Sequence, residues 1–147
     1  MTVTFFGHKN TPDSIQPILK KTLIQLIENE GADTFYVGNE GNFDRMVYST
    51  LKELKEIYPF IEYKVVLAYL TKRKSDFYTV EPADTLFPDG LLNTPLKFAM
   101  AKRNGIMLKL ADAVVMYACI PGNTWNLKAA AEDKGKRIIN LYNADKN

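Results

Sequence analysis

The chain of 147 residues has one cysteine, Cys119, one histidine, His8, and three serines. One cysteine excludes an internal disulfide and every multi-cysteine metal site, and the ligands of a zinc site are lacking. A chain this poor in cysteine is typical of a reducing compartment. No apolar run approaches the roughly 20 residues that a membrane-spanning helix needs. The sequence therefore predicts a cytoplasmic protein with no membrane partner, no metal and no cofactor.

Excess charge of one sign is also lacking. The formal net charge is +2, which is too small for a dedicated polyanion binder, so nucleic acid is not an expected partner. The first residues, MTVTFFGHK, carry no charged leader before their apolar run and predict a strand instead of a signal peptide. With 46% hydrophobic residues, the chain is large enough for one globular domain over residues 1–147.

Short apolar runs and helical stripes alternate along the whole chain. This order predicts an α/β fold: a single Rossmann-like, three-layer domain with a mainly parallel five-stranded sheet and helices on both faces. The predicted strands are Val3–Phe6, Thr34–Val37, Ile61–Leu70, Ala113–Cys119 and Arg137–Leu141. The predicted helices run from about Asp13 to Gly31, Phe43 to Tyr58, Pro95 to Ala111, and Thr124 to Lys134.

The stretch from Thr71 to Thr94 interrupts this alternation. It is polar, contains the basic run KRK at 72–74, and includes Pro82 and Pro88. Long loops inside compact domains are usually functional or mobile. We expect this segment to be less ordered than the rest and to close over the ligand edge of the sheet.

Glycine and polar residues follow three of the predicted strands, at the edge where ligands bind in parallel sheets. Glycine lets backbone amides approach a ligand, and the next helix directs its positive end to the same place. The pattern therefore predicts a cradle for a phosphate-bearing ligand, although tight strand–helix turns alone would also explain it. The candidate residues are Gly7, His8, Lys9, Gly38, Asn39, Glu40, Gly41, Asp44, Gly122 and Asn123.

Four side chains carry further alternatives. Asp44 either caps the second helix by accepting its free amides or accepts hydrogen bonds from ribose hydroxyls. Arg103 lies inside the apolar stripe of the third helix, where a guanidinium must be paired or reach a ligand. Cys119 and His8 would meet if their strands were neighbours, giving a thiolate–imidazole pair, whereas a strand-end cysteine is more often plain core.

Four segments together resemble one family. FFGHK resembles the opening strand of the SLOG superfamily, which includes Smf/DprA proteins and LOG-type nucleotide hydrolases. VGNEGNFDRMVY looks like the Smf/DprA segment G-G-x-x-G-x-D, with Gly38 and Asp44 in register. GKRIINL is similar to the closing strand, and the stretch TPLKFAMAKRNGIMLKLADAVVMY resembles the preceding helix and strand. Within the stretch TPLKFAMAKRNGIMLKLADAVVMY, the positions that match the family are Pro95, Phe98, Arg103 and Asn104.

The closest resemblance is to the uncharacterised, YpsA-like bacterial branch of that superfamily. It implies a domain that binds a nucleotide or nucleotide-derived ligand, as a sensor or weak hydrolase, with Arg103 and Asn104 completing the cradle. LOG-type enzymes carry a glutamate in P-G-G-x-G-T-x-x-E, and that position is Ala129 here. An N-glycosidic hydrolase of nucleoside monophosphates would therefore need another acid, Asp44 or Glu40. A single-stranded nucleic acid binder is a further alternative, and homo-oligomer formation stays open.

Overall fold

The sheet is the centre of the fold. The computed structural model describes residues 1–69 and 80–142, and its six strands form one sheet in the order β4-β3-β2-β1-β5-β6, with every pair parallel. The strands are β1 (Thr2–Gly7), β2 (Thr34–Val37), β3 (Glu62–Val66), β4 (Thr85–Leu86), β5 (Ala113–Tyr117) and β6 (Arg137–Asn140).

Four helices cover the two faces of the sheet. They are α1 (Gln16–Glu30), α2 (Gly41–Ile57), α3 (Leu96–Leu110) and α4 (Asn123–Asp133). The larger core cluster contains side chains of α1 and α2, and the smaller cluster contains side chains of α3 and α4. The predicted α/β, three-layer fold class is therefore confirmed. Within residues 1–69 and 80–142, none of the helices has the length and apolar character that crossing a membrane requires.

The continuous apolar runs of the sequence become the interior strands. All five residues of β5 are buried, and so are the four central residues of β1. A parallel strand covered by helices on both faces needs side chains that can be buried on both sides. In β1 this includes Thr4, whose hydroxyl donates to the Tyr36 carbonyl at 2.8 Å.

The number of strands differs from the predicted five. The sixth strand, β4, has two residues and pairs with β3 inside the segment that was expected to be a loop. This part of the segment is held by α2: the Tyr48 hydroxyl donates to Asp84 at 2.6 Å and accepts the amide of Glu81 at 3.2 Å. A two-residue strand between two prolines has no sequence period to detect. Residues 70–79, including the basic run at 72–74, lie outside the described residues.

Candidate functional site

A cleft of about 340 Å³ opens beyond the carboxyl ends of β1, β2 and β5. The chain builds the sheet outward from β1 through β2, β3 and β4, and then places β5 on the other side of β1. Such a reversal of strand order separates the flanking loops and leaves a crevice, which is where open α/β sheets bind ligands. The topology thus accounts for the position of the cleft.

Most of the predicted site residues meet at this cleft. Ten of the twelve line it: Gly7, His8, Lys9, Gly38, Glu40, Asp44, Arg103, Asn104, Gly122 and Asn123. Asn39 and Gly41 do not line the cleft formed by the described residues. The Asn39 side-chain oxygen instead faces Arg103 Nη1 at 3.5 Å, and Gly41 packs on the loop after β1. The convergence supports a common site, and the binding role of each residue stays a prediction.

The glycines of this edge mainly make room for the protein's own side chains. A Cβ at Gly7 would lie 2.1 Å from the Phe43 ring, and a Cβ at Gly38 would lie 2.7 Å from Asp44 Oδ2. Gly41 has a φ of +88°, and its Cβ would lie 2.6 Å from Lys9 Cα. Packing therefore requires the glycine at position 41, and Gly38 leaves the space that the ends of the Asp44 and Arg103 side chains fill, whether or not the amides of these glycines also face a ligand.

Gly122 is different from these three glycines. It has a φ of +147°, and a Cβ there would meet no described atom within 4 Å. Gly122 precedes α4 without any side-chain cap, and Asn123 and Thr124 of the first helical turn line the cleft beside it. The uncapped, positive end of an eleven-residue helix thus borders the cleft.

Asp44 is the most perturbed ionisable group of the site. It lies in the first turn of α2, is only 8% exposed, and its Oδ2 accepts the amide of Glu40 at 3.2 Å. The predicted capping of the free amides of α2 is not seen, because α2 has no side-chain cap and the amide that Asp44 accepts belongs to Glu40, the residue before the helix. Burial raises the pKa of Asp44 to about 7, although the nearby charge of Arg103 and the Glu40 amide act in the opposite direction. The carboxyl therefore changes charge near neutral pH.

Arg103 reaches across from α3 to the same point. It is 4% exposed, and its Nη1 donates to the carbonyl of Val66 at 3.0 Å. Its Nε donates to Asn104 Oδ1 at 2.9 Å. A Cβ at Gly38 would lie 2.9 Å from Arg103 Nη1, so the guanidinium and the Asp44 carboxyl converge beside Gly38. This explains why a charged residue occupies the core-facing stripe of α3.

His8 is held in its neutral form. Its Nε2 accepts the backbone amide of Cys119 at 3.1 Å, which requires that this nitrogen carry no proton. Burial also lowers the pKa of His8 below its usual value. The strands of the two residues are neighbours, as the thiolate–imidazole alternative required, but the contact is made by the amide of Cys119. The nitrogen that would accept a thiol proton is already occupied.

The lining of the cleft is mixed in character. Its polar part includes Glu40, whose carboxylate pairs with Lys9 at 2.9 Å. The lining also contains apolar side chains that sequence analysis did not assign to the site, among them Met100, Met107, Ile120 and Leu127. The methionines and Leu127 follow ordinary helical spacing, so nothing in the sequence distinguishes them from core residues.

Asn140 is a further residue that sequence analysis missed. At the end of β6, its side-chain oxygen accepts the amide of Ala118 at 3.1 Å, and its side-chain nitrogen donates to the Ala118 carbonyl at 3.0 Å. These bonds hold the chain just after β5, where the loop to α4 begins to line the cleft. An asparagine after an apolar run is too common a pattern to indicate this role.

Comparison of the sequence with models of known protein families and with curated proteins finds no match.

Proposed function

We propose that this chain is a SLOG-type domain of the bacterial cytoplasm that binds a nucleotide or nucleotide-derived ligand in the cleft, as a sensor or weak hydrolase. The observation that carries the proposal is the cleft itself, at the reversal of strand order, with both polar and apolar side chains in its lining. Its volume of about 340 Å³ lies in the range of small-molecule sites, roughly 300 to 1,000 Å³.

The phosphate of the ligand belongs at the start of α4. Gly122 provides no side-chain cap, and Asn123 and Thr124 follow it at the cleft. Free amides and the helix dipole together favour an anionic group at this end. The open space around Gly122 leaves a phosphate room to approach the backbone.

The nucleoside part fits the remainder of the cleft. The carboxylate of Glu40 is an acceptor that suits sugar hydroxyls. Met100, Met107 and Leu127 form an apolar surface on which a flat base can pack, and thioethers make favourable contacts with aromatic rings. Polar recognition at one end and apolar contact at the other is what a nucleotide requires.

Calorimetric titration tests the proposal by measuring the affinity for adenosine and guanosine 5′-monophosphates and, for comparison, for adenosine and guanosine. Asn123→Asp introduces a carboxylate where the phosphate is proposed to sit, while an acidic residue in the first helical turn keeps α4 stable. We expect this variant to lose at least about tenfold in nucleotide affinity, near 1.4 kcal/mol. Nucleoside affinity should stay unchanged.

Asn126→Asp is the matched control, since this exposed residue lies in the same helix and does not line the cleft. It should keep wild-type affinity. If no nucleotide binds with a Kd below about 1 mM, the proposal is refuted. Native mass spectrometry of the purified protein would show a co-purifying ligand independently.

Asp44 favours a second candidate, an N-glycosidic hydrolase of nucleoside monophosphates. A carboxyl group with a pKa of about 7 in a cleft can donate a proton to a leaving base at neutral pH. Chromatographic detection of free base would show turnover, and Asp44→Asn should abolish it while nucleotide binding remains. Absence of base release from any bound nucleotide would exclude this candidate.

A further inference from the structure

The carboxyl of Asp44 and the proposed ligand share one small space. Asp44 lines the cleft and is 8% exposed, and its Oδ2 accepts a hydrogen bond from the Glu40 amide. In the part of the chain that the structure describes, the charged groups that act on it are Arg103 from α3 and Glu40 from the turn after β2. Lys9, on the loop after β1, is paired with Glu40 at the rim.

An ionised Asp44 would oppose an anionic ligand. The two negative charges would lie in a partly dehydrated cleft, where the repulsion between like charges is stronger than in water. Within residues 1–69 and 80–142, the cation whose charge acts on Asp44 is Arg103, whose Nη1 donates to the Val66 carbonyl and whose Nε donates to Asn104. One buried guanidinium would therefore have to serve two anions.

We propose that the cleft takes up an anionic ligand together with one proton, and that the Asp44 carboxyl holds this proton. The inference rests on the proposed function, since it requires that the ligand be anionic. On binding, the carboxylate becomes a neutral carboxylic acid, so the charge brought by one anionic oxygen is balanced by the proton. The neutral carboxyl can then donate a hydrogen bond to the ligand.

Other groups of the cleft do not take this proton. His8 is committed to the neutral form because its Nε2 accepts the Cys119 amide, and burial lowers its pKa further. The Glu40 carboxylate is paired with Lys9 at 2.9 Å. Burial raises the pKa of Asp44 to about 7, so proton uptake should appear above pH 7, where the free protein is mostly ionised.

Calorimetric titration with adenosine 5′-monophosphate at pH 8, in two buffers of different ionisation enthalpy, counts the protons taken up. We expect about one proton for the wild type, and affinity that falls about tenfold per pH unit above pH 7. Asp44→Asn should bind with little pH dependence, because its amide resembles the protonated carboxyl. Any proton taken up by the ligand phosphate would appear equally in this variant and can be subtracted.

Asp133→Asn is the control, since it removes an exposed carboxyl that does not line the cleft. It should keep the proton uptake of the wild type. Nucleotide binding with equal proton uptake in wild type and Asp44→Asn would refute this inference and leave the proposed function standing. Absence of nucleotide binding at every pH would refute both. A ¹³C NMR titration of the Asp44 carboxyl in the free protein, if its midpoint lay below about 5, would overturn the inference without any ligand.

Discussion

Replacing Asp44 with asparagine should stabilise the protein above neutral pH. The asparagine oxygen can still accept the Glu40 amide, which lies 3.2 Å from Asp44 Oδ2, but the side chain cannot ionise. In the wild type, ionisation of this buried carboxyl opposes folding, because the charge is largely removed from water. The variant removes that cost and keeps the shape of the side chain.

The magnitude follows from the pKa of Asp44, which is raised from 3.8 to about 7. The folded protein holds the proton more tightly than the unfolded chain, so this group's contribution to stability is fully present below the unfolded pKa and is lost as pH rises through the folded pKa. A shift of about 3 units corresponds to about 4 kcal/mol. The opposing effect of Arg103 is already contained in that shift.

Urea denaturation at pH 5 and pH 8 tests this reasoning. The variant should exceed the wild type in free energy of unfolding by about 2 kcal/mol at pH 5 and by about 4 kcal/mol at pH 8. Asp133→Asn, which changes an exposed aspartate at the end of α4, is the control and should show no such growth with pH. A difference that stays constant with pH, or a variant that is less stable than the wild type at pH 8, would refute the argument.

Three further substitutions test the packing of the site by urea denaturation. Gly41→Ala should lower the free energy of unfolding by about 2 kcal/mol or more, because φ is positive and the new Cβ would lie 2.6 Å from Lys9 Cα. Gly31→Ala, where φ is +75° and the space is open, is the control and should lower it by only about 1 kcal/mol. Equal losses in the two variants would contradict the steric argument. Arg103→Met should lower the free energy of unfolding by about 3 kcal/mol, because buried partners of the guanidinium such as the Val66 carbonyl lose their donor. Unchanged stability would show that these partners find other donors. Asn140→Ala should lower the free energy of unfolding by about 2 kcal/mol, because both side-chain hydrogen bonds to the backbone of Ala118 are lost. Unchanged stability would show that Asn140 does not hold this part of the chain in place.

The sequence by itself determined the fold class. β2 spans Thr34–Val37, as its β-branched and aromatic run between polar residues predicted, and α3 differs from its prediction by one residue at each end. These elements are readable because apolar periodicity and end signals are local properties of the chain. Parallel pairing then follows from the alternation of strands and helices, and it places the ends of the strands at one edge.

Only the tertiary structure decided what the residues at that edge do. Gly38 and Gly41 are predicted ligand contacts, and the sequence gives no sign of the space that they also leave: Gly38 admits Asp44 and Arg103, and Gly41 admits Lys9. The neutral state of His8 depends on an amide 111 residues away, and the raised pKa of Asp44 depends on burial beneath several elements. Such properties arise from contacts between residues that are distant along the chain, and packing sets these contacts, so no local pattern encodes them.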